Sequence, residues 1–237
     1  MNFPRIYSLS TVGIRKHYLH DYLFHPSRTD FIGSNGIGKS IVADLLQLMF
    51  VYDKEVIRFG TEGIRKEDRR IESLPYKTNT AYCFLNIELE KGRFIVIGIQ
   101  INSYPRGRVI VPCVVTKNTD LNGKIEHLYL ERKDILLAKD VVKDNIIPDI
   151  TDLAGHLLQS KGLILTNFKN SDDIQRYYRF LYEKGILSIN LSVEKNMVAF
   201  AKVIQSFSKA RTLNLNGNQA SKSLKEFLFE DSDEDLL

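Results

Sequence analysis

Long apolar runs are missing from this chain. No stretch of its 237 residues approaches the roughly 18 apolar residues of a membrane-spanning helix. The opening MNFPRIYSLSTVG also lacks the charged-then-apolar layout of a secretory leader. The expectation is a soluble, cytoplasmic protein with no membrane partner. Cysteine occurs only twice, at Cys83 and Cys113, each within an apolar, strand-like run. Two thiols alone cannot build a zinc site, and they read as buried small hydrophobes. The histidines at 17, 20, 25, 127 and 156 show no H-E-x-x-H or comparable spacing, which argues against a metal centre. No serine sits in a nucleophile elbow, so a hydrolytic triad is rejected. Internal repeats and low-complexity segments are absent too.

What is present is a globular composition, 43% hydrophobic, in a chain long enough for one or two packed domains. A net charge of +4 and a pI near 8.9 permit a polyanionic partner without singling one out. Arg58, Arg65, Lys66, Arg69 and Arg70 crowd one segment, but Glu62, Glu67, Asp68 and Glu72 interleave with them. The segment reads first as a solvated face and second as a nucleic-acid patch.

Period-2 alternation predicts an opening hairpin over residues 5–14 and 17–24, and a second over 81–90 and 93–101 with Lys91 and Gly92 at the turn. Residues 108–116 give another strand, in which Pro112 favours an edge or a bulge. Residues 121–130 suggest a last strand pair turning at Asn122 and Gly123. Between the hairpins, residues 53–79 read as an irregular excursion with at most one short helix. From about Asp149 the pattern becomes helical, with Ser171 as an N-cap and Gly185 as a stop. Further helices are expected over 193–210 and 221–230, joined by a linker-like 211–220. The division expected is an α/β lobe with a strand-rich part over 1–148 and a helical section over 149–237.

One motif carries chemistry. Gly33, Ser34, Asn35, Gly36, Ile37, Gly38, Lys39 and Ser40 match the spacing G-x-x-x-x-G-K-S. Small residues let successive backbone N–H groups turn inward around a phosphate, and the following helix presents its positive end to the anion. Lys39 offers a point charge to the β- and γ-phosphates, and the Ser40 hydroxyl is suited to Mg²⁺. The loop follows apolar Phe31 and Ile32, read as a short strand end in DFIG, and runs into the helical IVADLLQLMFV. The site residues for ATP are therefore Gly33 to Ser40, with Ser40 for Mg²⁺. Hydrolysis also needs a Walker B strand, four apolar residues ending in Asp. No segment fits: RKDILLAKD is broken by Lys139, and VVKDN is too short and too charged. Catalytic residues are thus unassigned.

The loop GSNGIGKS resembles the G-x-N-G-x-G-K-S form found in SMC and related ABC-type heads. With IRFGTEG (57–63), the strand pair around AYCFLNIEL and RFIVIGIQI, and the later stretches 178–192, 199–210 and 221–230, the chain resembles the amino-terminal head lobe of the MukB-like SMC ATPases, a group that includes the JetC subunit of Wadjet-type plasmid defence. The resemblance implies a P-loop NTPase lobe with a mixed sheet, a P-loop helix and a helical section leading to a coiled coil. It implies ATP and Mg²⁺ as cofactors. It also explains the missing Walker B, because such heads are split and a distant carboxy-terminal lobe supplies Walker B and the signature motif; the chain is expected to be a fragment, inactive alone. By the same resemblance Gln205 is a candidate Mg²⁺ contact and Arg58 a candidate contact to nucleotide or DNA. The partners implied are the carboxy-terminal head lobe, a second head in a homodimer, a kleisin with accessory subunits, and double-stranded DNA, in a nucleoid-associated setting. The function implied is DNA entrapment or loop extrusion, in chromosome organisation or plasmid defence. Two alternatives remain: a RecF- or RecN-like repair ATPase or defence-nuclease subunit, and a non-catalytic DNA-binding scaffold with a vestigial P-loop.

Overall fold

The computed structural model of the chain describes residues 3–51, 71–103, 108–117, 121, 124–201 and 203. Strands β1 (Arg5–Ile14) and β2 (His17–Leu23) form the expected first hairpin, with Ile14 opposite His17 across the Arg15–Lys16 turn. Strands β3 (Thr80–Glu90) and β4 (Arg93–Asn102) form the second, turning at Gly92 with φ 79, a left-handed value open to glycine. Strands β5 (Ile110–Thr116), β6 (Leu130–Glu131) and β7 (Ile164–Asn167) complete one sheet in the order β2-β1-β3-β4-β5-β7. The short β6 shares the β5 side of β4, pairing at Arg93 and Phe94 while β5 pairs from Val96 onward.

Both faces of this sheet are covered, which is why β3 and β4 are buried along almost their whole length. Alternate side chains go to opposite sides. Cys83, Leu85, Ile87, Ile95, Ile97, Ile99 and Ile101 join a cluster with helices α1 (Lys39–Phe50) and the later α4 (Ser171–Glu183). Tyr82, Phe84, Phe94 and Val96 join the opposite cluster with α2 (Ala138–Val141) and α3 (Ile150–Lys161). On α1 the buried residues Val42, Leu45, Leu48 and Met49 recur at helical spacing. Each such side chain contributes about 1.5–3 kcal/mol when taken from water, so α1 is held on the sheet by its apolar stripe. Its C-terminal end is also tied, since the buried Tyr177 hydroxyl donates to the Met49 carbonyl at 3.3 Å. On the other face, buried Asn86 fastens residue 136 across the sheet: Nδ2 donates to Ser8 Oγ and to the Leu136 carbonyl, and Oδ1 accepts the Leu136 N–H, all at 2.9 Å.

Several expectations need correction. The sheet is not mixed among the described residues, where every pairing is antiparallel. The DFIG segment was expected to supply the strand before the loop, yet residues 28–34 carry no regular structure. The segment has no ladder neighbour among the described residues, and without a pairing partner it is not a strand. Pro112 is not on an edge, because β5 lies between β4 and β7. Its carbonyl accepts the Phe168 N–H at 2.9 Å, just past the end of β7. A residue's N and O lie on the same side of a strand, so the donor that proline lacks falls where the β7 ladder has stopped.

Residues 125–127 form a 3-10 turn instead of a strand, leaving only the two-residue β6 of the pair expected over 121–130. Residues 122–123 lie outside the described set. Within the section expected to be helical, β7 returns to the sheet beside β5. The N-cap of α4 is Asn170, one residue earlier than expected, with its side chain accepting the Asp173 N–H at 2.9 Å. Gly185, at φ 69, ends that helix as read. Residues 194–201 are helical, while the linker at 211–220 and the helix at 221–230 lie outside the described residues. Cys83 and Cys113 are both free and buried, and burial pushes both thiols up from their ordinary value. No helix among the described residues is long and apolar enough to cross a membrane.

Candidate functional site

The glycine-rich turn sits at the start of α1. Gly36 has φ 85 and Gly38 has φ 104 with ψ 12, left-handed values that cost other residues roughly 1–2 kcal/mol each. Gly38 is the N-cap of α1, and Lys39 and Ser40 are its first two residues. The first turn holds no acidic side chain, so no carboxylate there offsets the positive end of the helix dipole. Lys39 folds back over the loop: its ammonium donates to the Ser34 carbonyl at 2.8 Å and also to that of Gly33. Residues 31–37 are exposed, Gly38 is buried, and Lys39 and Ser40 are half-buried. The loop therefore sets one lysine at a helix start, with glycine at its two left-handed bends. That arrangement accommodates an anion.

The first hairpin supports the loop from below. Lys16, with φ 66 in the turn, donates to the Gly36 carbonyl. His17 is 6% exposed. Its Nε2 lies 3.0 Å from the Gly38 carbonyl oxygen, and its Nδ1 meets the Tyr22 hydroxyl. A carbonyl only accepts, so Nε2 carries the proton and Nδ1 receives the Tyr22 O–H. Burial lowers the His17 pKa from its ordinary 6.5; the bond to Gly38 opposes this, and the neighbouring His20 and Lys16 add to the lowering. Burial raises the Tyr22 phenol. An aromatic chain continues to the loop's approach, with Tyr22 edge-on to Phe31 at 5.7 Å and Phe24 edge-on to Phe31 at 6.1 Å.

The structure brings the predicted Gly33 to Ser40 together around the start of α1. Arg58 and Gln205 lie outside the described residues, as does the basic segment up to Arg70. Sequence reasoning missed Lys16, His17 and Tyr22, because they read there only as parts of a hairpin. No signal in the sequence singled them out, because the buried His17 opens a strand whose next four residues are exposed only once the hairpin folds. The segment 132–140, weighed and rejected as a Walker B strand, forms a 3-10 turn at Arg132–Asp134 and then α2.

These elements make an α/β lobe that offers a lysine-bearing glycine turn at a helix start, and its class is that of an SMC-like ATPase head region. The chain belongs to the MukB N-terminal family, whose model matches residues 4–233. The MukB family is an ATPase family. No curated protein matches the chain.

Proposed function

We propose that this chain is the ATP-binding amino-terminal half of a split SMC-type head. The observation that carries the reading is the start of α1, where Gly36 and Gly38 take left-handed conformations and Lys39 reaches back over the loop carbonyls. In this reading the backbone of Gly33, Ser34, Asn35, Gly36, Ile37 and Gly38 cradles the phosphates. Lys39 exchanges its carbonyl partners for the β- and γ-phosphates, and Ser40 holds Mg²⁺. The donor set fits: the backbone N–H groups of a helix start and an ammonium for a polyanion, and a hydroxyl for a hard cation. Bound Mg²⁺ supplies charge neutralisation at the phosphates. Gln205 and Arg58 are proposed as further contacts, to Mg²⁺ and to nucleotide or DNA.

The split itself is supported by what surrounds the loop. The segment entering it has no strand partner among the described residues, and it leaves Ile32 91% exposed and Phe31 37% exposed. Exposed apolar side chains on a segment with no strand partner among the described residues suit pairing with a second piece of chain. The occupant proposed is the carboxy-terminal head lobe, which would also bring the Walker B and signature motifs. The complete head would then pair with a second copy and work with a kleisin, accessory subunits and double-stranded DNA in entrapment or loop extrusion.

The test is complementation. The chain and the carboxy-terminal lobe of the same gene are assayed for ATP hydrolysis separately and mixed. Turnover only in the mixture, lost with Lys39→Ala, is expected. Full turnover by this chain alone would contradict the split head.

A further inference from the structure

The first hairpin reaches the loop through two consecutive side chains, and the second of them is fixed on every side. The His17 carbonyl accepts the Thr11 hydroxyl at 2.8 Å, which anchors its backbone in the sheet. Its imidazole is held between the Tyr22 hydroxyl and the Gly38 carbonyl. Both ring nitrogens are satisfied, as a buried imidazole requires. The approach to Gly38 is close enough that a Cβ there would stand 2.4 Å from Nε2.

What this contact does follows from the geometry of the peptide unit. The Gly38 carbonyl and the Lys39 N–H belong to one planar trans unit and point in opposite directions. Tied to His17, the carbonyl faces the hairpin and the Lys39 N–H faces away from it. That N–H belongs to the first residue of α1 and is one of the donors with no acceptor inside the helix. The Gly38 carbonyl also accepts the Ile41 N–H at 2.9 Å, so it is held from two directions. Glycine at φ 104 leaves the 38–39 peptide freer to rotate than any other residue would. The His17 bond opposes that rotation.

We propose that His17 is a positioning residue for nucleotide binding, its Nε2–H fixing the Gly38–Lys39 peptide so that the Lys39 N–H is presented to the phosphates. This rests on the nucleotide-binding reading of the loop. His17 acts through Gly38 and touches no nucleotide itself.

The test compares MgATP dissociation constants, measured by calorimetry on the full chain, for the parent, His17→Leu, His17→Gln and Lys39→Ala. Leucine fills the space without a donor, whereas the Gln amide reaches to about the position of Nε2 and can donate to the carbonyl. The expected result is about tenfold weaker binding for His17→Leu, the worth of one hydrogen bond, and affinity within about threefold of the parent for His17→Gln. Lys39→Ala separates the two claims. If it abolishes binding while His17→Leu binds like the parent, the positioning role is overturned and the loop reading stands. Equal weakening in His17→Leu and His17→Gln also overturns it, since the donor then does not matter. If Lys39→Ala binds like the parent, the loop reading fails and this proposal with it. Should His17→Leu not fold, ¹⁵N NMR of the His17 ring in the parent with MgATP decides: a neutral Nε2–H tautomer supports the proposal, and an Nδ1–H tautomer refutes it.

Discussion

Gly38→Ala tests the packing of the loop against the hairpin. Two separable costs arise. Alanine at φ 104 is strained by roughly 1–2 kcal/mol. Its Cβ would also stand 2.4 Å from His17 Nε2, and His17 has no free direction in which to yield because both ring nitrogens are engaged. Breaking that contact adds about 1 kcal/mol. The sum, about 2–3 kcal/mol, corresponds to a Tm lower by roughly 5–10 °C for a domain of this size. Urea unfolding of the parent, Gly38→Ala, His17→Ala and the double variant separates the parts. The backbone cost persists when His17 is truncated, and the steric cost does not, so the double variant should be more stable than additivity predicts by about 1 kcal/mol. Strict additivity would show that His17 and Gly38 do not meet, and would refute the reasoning.

Three other outcomes are expected. The His17 pKa is depressed on folding, so the unfolded chain binds more protons and stability rises with pH in that range. The His17 contribution is complete above its ordinary 6.5 and is lost as pH falls from there toward the folded value; the parent should lose more stability than His17→Gln between pH 7.5 and 5.5 in thermal unfolding. Asn86→Ala removes the acceptor of the buried Leu136 N–H and two donated bonds, and urea unfolding should show a loss of about 2–4 kcal/mol. Ile32→Asp changes a side chain that is 91% exposed; it should leave the Tm of this chain alone within about 2 °C but weaken hydrolysis when the carboxy-terminal lobe is added.

Much of the fold was legible because its signals are local. Both hairpins follow from period-2 alternation, and α4 from the cap at its start and the glycine, Gly185, that ends it. What was not legible depends on partners distant in sequence. The four residues of β7 become a strand only because β5 offers a free side. Pro112 is tolerated inside the sheet only because β7 stops beside it. Residues 30–33 have the composition of a strand and no strand partner among the described residues, which no reading of their own sequence reveals. The glycine turn ahead of α1 was legible, since its left-handed bends at Gly36 and Gly38 answer local backbone needs. Its brace was not: His17 is 21 positions before Gly38, and its role exists only where the hairpin folds under the helix.

The central claim is that the Gly33 to Ser40 loop binds nucleotide, and titration of MgATP into the chain and into Lys39→Ala tests it most directly. The loop reading predicts saturable, Mg²⁺-dependent heat with the parent and none with the variant. Equal affinity in the two proteins, or no binding by the parent even with the carboxy-terminal lobe present, would contradict it.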